Sequence, residues 1–162
     1  MTQADAVLEV MKTWVGEEET PPPYEVEKGM MMKMPWVVGD PNPLWRDEQY
    51  ARQTRYGGII AAPCFVEFLR FRYYSTYGRT TTPVIRQDLP GRPANVVGGE
   101  EVEYFRPIRP GDVISISCRT TDVKKRWSKG LNRDVVIQTH EQVFTNQFGE
   151  LVATHKSTHI KT

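Results

Sequence analysis

The chain has 162 residues, of which 39% are hydrophobic and 25% charged, and its formal net charge is +1. This length suits a single domain with a sizeable core, and the near-neutral charge argues against nucleic acid as a partner. Because the sequence has no long apolar run and no charged-then-apolar leader, it predicts a soluble cytoplasmic protein without a membrane segment.

The first part of the chain predicts helices, because apolar residues recur there at helical spacing. Asp47 is a natural N-cap, and Gly57-Gly58 a natural helix end. Phe65 and Leu69 begin an apolar stripe, continued by Tyr73 and Tyr77. The predicted elements, in chain order, are a helix over 3–15, a linker over 17–23, a short strand over 24–27, a helix over 29–38, a rigid turn over 39–43, a helix from 48 to about 55 and a longer helix from Pro63.

The second part of the chain alternates with a period of two, which is typical of strands. A connection over 76–98 leads to predicted strands over 100–105, 113–119, 133–145 and 151–160. Helices followed by an antiparallel meander predict an α+β domain in which a helix covers the apolar face of a sheet. We expect one domain over 1–162, with an N-terminal helix and linker over 1–23 preceding 24–162.

The turn at 39–43 carries the clearest candidate chemistry. Asp40 is a carboxylate in a proline-stiffened turn beside an apolar helix, a setting that can raise a pKa and produce an acid or base. The alternative is that Asp40 and Asn42 cap the turn through hydrogen bonds from side chain to backbone. Spacing alone leaves both interpretations open.

This stretch resembles the hydratase motif of the MaoC-like family, G-D-x-N-P-[aliphatic]-H-x-D, followed some fifteen residues on by [FY]-G-x-I-[AV]-H-G. The matching residues are Gly39, Asp40, Asn42, Pro43, Leu44 and Asp47, then Tyr56, Gly57, Ile59 and Ala61. Further likeness at 98–103, 106–112 and 145–151 extends the resemblance over nearly all of residues 24 to 160.

The resemblance implies a hotdog fold, in which a curved antiparallel sheet wraps a long central helix, here with an extra N-terminal helix. It implies an acyl-CoA or acyl-carrier-protein thioester as substrate, and assembly into a homo- or hetero-oligomer with a catalytic MaoC-like subunit. In the family, an Asp and a His five residues apart activate water for reversible hydration of a trans-2-enoyl thioester. The resemblance places the substrate at Gly57, Gly58, Ile60, Ala62 and Pro63. Neither a cofactor nor a metal ion is expected.

Two departures from the family pattern affect catalysis. Asp40 occupies the aspartate position, but Trp45 stands at the histidine position, and indole has no acceptor nitrogen. Ungapped alignment also puts Ala62-Pro63 where the family has His-Gly, so the backbone N–H that stabilises the thioester oxyanion is absent. A general base typically contributes about 10²–10⁴-fold and an oxyanion donor about 10²–10³-fold. The sequence therefore favours the non-catalytic half of a heteromeric enzyme, with Trp45 as an apolar wall.

Two other functions stay open at the level of sequence. A self-sufficient homodimeric hydratase would combine Asp40 with a histidine from outside the motif, such as His140 or His155. A lone strand histidine is more often a surface or hydrogen-bonded group. A hotdog thioesterase or acyl-CoA-binding protein would use a carboxylate on the long helix, where Glu67 is the only acid.

Overall fold

The protein is described by a computed structural model over residues 2–76 and 89–162, with the backbone alone over 72–76. Its helices are α1 (Gln3–Lys12), α2 (Lys28–Val37), α3 (Glu48–Arg52) and α4 (Phe65–Thr76). Its strands are β1 (Glu18–Glu19), β2 (Tyr24–Glu25), β3 (Asn95–Tyr104), β4 (Val113–Ser128), β5 (Arg133–Thr145) and β6 (Leu151–Lys161). The α+β architecture predicted from the sequence is confirmed.

The strands form an antiparallel sheet in the order β1-β4-β5-β6-β3, and β2 also pairs with β4. β4, β5 and β6 carry most of the pairing because a short turn joins each of them to the next. β3 lies at the edge and pairs with β6, with an irregularity between Val97 and Gly99. Val96 and Val97 on this edge are about half exposed. A long edge strand with exposed valines offers its backbone to another chain.

The long helix α4 covers one face of the sheet. Its first apolar residues, Phe65 and Leu69, are buried in a core that also contains Met31, Ile116 and Phe144. Burying a side chain of this size stabilises the fold by roughly 1.5–3 kcal/mol. The side chains of Tyr73 and Tyr77, which continue the predicted stripe, lie outside the described residues.

The N-terminal helix α1 packs against the other end of the sheet. Thr2 and Asp5 form a capping box at its start, and Val7 and Met11 bury against Leu89 and Val136. The extra N-terminal helix is thus present, while the predicted linker over 17–23 contains the short strand β1. Within the described part of the chain, no helix has the length and apolarity needed to span a membrane.

Candidate active site

The Asp40 turn follows directly from the end of α2. Gly39 has a φ of 71°, a left-handed conformation that glycine adopts at little cost. The Asp40 N–H donates to the Pro35 carbonyl at 2.8 Å. Asp40 Oδ1 accepts from the Asn42 N–H at 3.0 Å, and Asn42 Oδ1 accepts from the Leu44 N–H at 3.0 Å. Both side chains therefore cap the turn, as the alternative interpretation of the sequence expected.

Trp45 lies against Asp40 rather than facing away from it. Its indole Nε1–H donates to Asp40 Oδ2 at 2.7 Å in a half-buried position. The one-turn 3-10 helix Pro43–Trp45, which the sequence did not predict, carries the indole back over the turn. Each oxygen of the Asp40 carboxylate thus accepts a hydrogen bond, and the donor on Oδ2 is a group that cannot take up a proton.

A pocket of 430 Å³ opens beside this corner. Two backbone segments form its walls, and two hydrogen bonds connect them. The Ala61 N–H donates to the Ile108 carbonyl at 2.9 Å, and the Tyr104 hydroxyl donates to the Pro63 carbonyl at 2.7 Å. The lining residues are Trp45, Arg55, Tyr56, Ile60, Ala61, Ala62, Pro63, Val66, Tyr104, Phe105, Arg106, Pro107 and Ile108.

The residues predicted to bind substrate divide between this pocket and its surroundings. Ile60, Ala62 and Pro63 line the pocket, together with Trp45. Gly58 lines a neighbouring pocket between α3 and the loop at Arg109. Gly57 turns the chain with a φ of 67°. Asn42 is exposed and acts through the turn.

Two ionisable side chains near Pro63, those of Cys64 and Tyr104, stay protonated at neutral pH. Burial raises the pKa of Tyr104 to about 12, so its hydroxyl remains a donor at neutral pH. Burial, aided by the negative charge of Asp40, also raises the pKa of the Cys64 thiol. A thiol that stays protonated is a poor nucleophile. Tyr104 therefore lines the pocket as a hydrogen-bond donor, and Cys64, which lies outside the pocket lining, does not supply a nucleophile.

Arg70 on α4 is the centre of an ion-pair network that the sequence did not predict. Its guanidinium lies 2.8 Å from Glu67, 2.8 Å from Glu100 on β3, and 2.9 Å from His155 Nε2 on β6. Glu67, Glu100 and His155 are spaced closely enough to ligate a metal ion. The guanidinium, however, hydrogen-bonds to all three, so a positive charge already stands among them. Only the i,i+3 spacing of Glu67 and Arg70 signalled this pair in the sequence.

The prediction that the strand histidines are surface or hydrogen-bonded groups is wrong for His140. Its side chain is 1% exposed, and neither ring nitrogen has a hydrogen-bond partner among the described residues. Burial lowers the pKa of His140 to about 3 and that of His155 to about 4. His159 is also buried, beside Asn95 and Ser157. The alternation along β5 predicted which side chains share a face of the strand. It did not predict that the face carrying Gln138, His140 and Gln142 is buried.

Across the described structure, none of the three histidines contacts Asp40. His155 bonds to Arg70, His159 lies 3.2 Å from Asn95, and Asp40 is bonded by Trp45 and the turn. The structure therefore brings together Asp40, Trp45 and the Pro63 segment, and it places the histidines in a separate buried layer.

Comparison with known proteins agrees with this architecture. Residues 13–155 match the family model described as FAS1-like, dehydratase domain region. A UPF0336 protein of Thermobifida fusca is 32% identical over 107 residues, 65% of this chain and 66% of that protein. The chain thus spans about two thirds of this relative's length.

Two solved structures share the fold. The ChsH1–ChsH2 complex from Mycobacterium tuberculosis superposes with a TM-score of 0.75 at 22% identity, covering 98% of this chain and 90% of that one. The MaoC-like dehydratase from Rhodospirillum rubrum superposes with a TM-score of 0.66 at 22% identity, covering 91% of each chain. The chain therefore belongs to the family described as FAS1-like, dehydratase domain region, and has the hotdog fold of these solved structures, as the motif at Asp40 predicted.

Proposed function

We propose that this chain is the supporting, non-catalytic subunit of a heteromeric MaoC-like enzyme that reversibly hydrates enoyl thioesters. The observation that carries the proposal is the 2.7 Å hydrogen bond from Trp45 Nε1 to Asp40 Oδ2. In the family pattern the residue at position 45 is a histidine that works with Asp40 on water. Indole occupies that place here and has no nitrogen able to accept a proton.

The segment before α4 supports the same proposal. Proline at position 63 has no backbone N–H, so the donor that would stabilise a thioester oxyanion is missing. The Tyr104 hydroxyl points at this segment but donates to the Pro63 carbonyl. Two separate contributions to catalysis are therefore lost at one corner of the molecule.

The pocket beside Trp45 supports a role in holding the substrate chain. Ile60, Ala62 and Val66 give it apolar walls, and a pocket of 430 Å³ is within the usual range for small-ligand sites. Trp45 adds a large flat surface where a histidine and a water molecule would otherwise lie. This wall would hold an acyl chain whose thioester reacts in the partner.

The edge strand β3 supports association with a second MaoC-like chain. Among the described residues, no further strand lies beside the ten residues of β3, and Val96, Val97 and Tyr104 are about half exposed. An antiparallel strand from a partner would pair with the free backbone groups and cover these side chains. We assign as partner a MaoC-like subunit that keeps both the aspartate and the histidine.

Activity measurements on the chain alone and in complex test this proposal. The purified chain is expected to leave crotonyl-CoA and longer enoyl-CoAs unhydrated, and co-expression with a MaoC-like protein from a neighbouring gene should give an active complex. Activity of the complex should survive Asp40→Asn in this chain and disappear when the partner's motif aspartate is changed to Asn. Robust turnover by the isolated chain that Asp40→Asn abolishes would contradict the proposal.

Thioester hydrolysis is a second candidate function, because Glu67 lies on the long helix next to Val66 of the pocket lining. Burial raises the pKa of Glu67, which suits a carboxylate to act as a base, while its pair with Arg70 at 2.8 Å opposes that rise. Hydrolysis of an acyl-CoA by the chain, lost in Glu67→Gln and kept in Asp40→Asn, would establish this function in place of the first.

A further inference from the structure

A second pocket, of 310 Å³, lies beside the N-terminal helix α1. Ala4 and Val7 of α1, with Trp127 of β4 and Val136 of β5, give it apolar walls. Among the described residues, it shares no lining residue with the pocket beside Trp45. We name it the α1 pocket. Its size and its apolar walls match a small organic ligand.

Lys161 on β6 contributes a buried side chain to the lining of the α1 pocket. The residue is 5% exposed and lies directly opposite Val136. Opposed residues of antiparallel strands project from the same face, so Lys161 lies on the face of the sheet that α1 covers. Burial lowers the pKa of Lys161 to about 8. About a quarter of this amine is therefore neutral at about pH 7.5, against roughly 0.1% of an exposed lysine.

A series of hydrogen bonds holds this amine in place. Lys161 Nζ donates to Asn95 Oδ1 at 2.8 Å. Asn95 Nδ2 in turn donates to His159 Nδ1 at 3.2 Å, and His159 Nε2 lies 3.3 Å from Ser157 Oγ. The Asn95 amide can accept from the lysine and donate to the histidine in only one orientation. The amine is therefore fixed in position, as a nucleophile must be to react with a bound ligand.

The surroundings of the amine indicate which ligand it would take. Arg133 and Asp134 also line the α1 pocket, and Asp134 lies 3.5 Å from Lys125, which balances its charge. A neutral lysine amine reacts with carbonyl compounds, and the apolar walls match a hydrocarbon chain. An aldehyde fits this arrangement because its carbonyl carbon carries a single chain and leaves one side open to a buried amine.

We propose that Lys161 forms a Schiff base with a small apolar aldehyde that binds in the α1 pocket. The amine nitrogen bonds to the carbonyl carbon, and the carbonyl oxygen leaves as water together with the two protons of the neutral amine, so that a C=N bond remains. The step requires no oxidant or reductant, and addition of water reverses it. It uses none of the residues at the Asp40 turn, so this activity goes beyond the proposed function and is independent of it.

Reductive trapping tests the inference on the wild-type chain alone. The chain is incubated with butanal and sodium cyanoborohydride at about pH 7.5, which converts each Schiff base into a stable secondary amine, and each lysine is followed by peptide mass spectrometry. We expect Lys161 to be labelled roughly 10-fold faster than Lys156, an exposed lysine on the same strand, because the larger neutral fraction of Lys161 outweighs its lower basicity. Labelling of Lys156 at an equal or higher rate would overturn the inference.

A pair of variants tests whether the aldehyde reaches Lys161 through the α1 pocket. Ala4→Trp fills the pocket from α1 and should slow the labelling of Lys161 several-fold while leaving that of Lys156 unchanged. The matched control is Glu9→Trp, at an exposed position of the same helix, which should leave both rates unchanged. Thermal unfolding of each variant shows whether the fold is kept. Unchanged labelling of Lys161 in folded Ala4→Trp would contradict a site in this pocket, and the comparison of Lys161 with Lys156 in the wild-type chain holds whether or not the variant folds.

Discussion

The partly exposed Asp40 turn and the buried histidine layer under α4 differ in whether their polar groups are hydrogen-bonded. At the turn, each carboxylate oxygen of Asp40 accepts a hydrogen bond. In the layer, His140 is almost fully buried and neither of its ring nitrogens has a partner among the described residues. At the Asp40 turn, where the sequence departs from the family's catalytic pattern, the carboxylate oxygens are thus hydrogen-bonded. In the histidine layer, buried nitrogen atoms without a partner lower the stability of the fold.

The largest expected effect is a loss of stability in acid that originates in the layer. Burial lowers the pKa of His140 to about 3 and those of His155 and His159 to about 4. In the unfolded chain, histidine titrates near 6.5. Between about pH 6.5 and pH 4, these histidines therefore bind protons in the unfolded state but not in the native state. The free energy of unfolding falls as the pH drops through this range.

Urea unfolding between pH 7 and pH 5 measures this loss. Each histidine contributes up to roughly 1.4 kcal/mol per pH unit, so the three together approach about 4 kcal/mol per unit at the steepest point. Glu67, whose pKa is raised by burial, opposes the trend. His140→Leu should reduce the slope by about a third and cost less than about 1 kcal/mol at pH 7, because it leaves no bonded partner behind. A flat profile, or an unchanged slope in His140→Leu, would contradict the assignment.

The second-largest expected effect is a loss of stability when Arg70, the cation bonded to His155, is replaced. Arg70→Met leaves Glu67, Glu100 and His155 without the guanidinium that bonds to all of them. We expect a loss of about 2 kcal/mol in the free energy of unfolding, because Arg70 is buried whereas Glu67 and Glu100 are about a third exposed and remain partly hydrated. Arg119→Met is the matched control, because Arg119 pairs with Glu141 on the exposed face and should cost less than about 1 kcal/mol. Similar losses in the two variants would show that the Arg70 network is not buried in solution.

The smallest expected effect is at the turn. Asp40→Ala removes the acceptor of the Trp45 indole and of the Asn42 N–H, and should cost about 1–2 kcal/mol in unfolding without lowering the activity of the complex. Asp47→Ala removes a comparable bond, from the Tyr50 N–H at 3.0 Å, at a neighbouring turn. Only Asp40→Ala should alter the fluorescence of Trp45. Loss of activity in Asp40→Ala but not in Asp47→Ala would assign Asp40 a catalytic role and erase the contrast between the two regions.

Much of the fold could be predicted from the sequence because alternation and turn residues act locally. The bounds of β5 agree at both ends, and Asp47 caps α3 as expected. β4 continues to Ser128, beyond the predicted end at residue 119. Charged residues such as Lys124 and Arg126 interrupt its hydrophobic alternation, while the backbone pairing with β5 continues.

The site could be predicted only in part, for a different physical reason. The motif located Asp40, Trp45 and Pro63, since these depend on position along the chain. The indole bond to Asp40 depends on the direction of a side chain, and the burial of Arg70 and His140 depends on which element covers them. The direction and the burial of a side chain are determined by tertiary packing, about which a local sequence pattern gives no information.

The open edge of β3 has a consequence for how a cell can use this chain. On the side away from β6, the ten residues of β3 have no strand partner among the described residues, and two of its valines are about half exposed. An edge of this kind can pair with a strand of another chain. Under the proposed function, a copy made without a catalytic partner would be a candidate for self-association, degradation or rescue by a chaperone. We then expect the amount of this chain to be matched to that of the partner, through shared transcription or rapid removal of the excess.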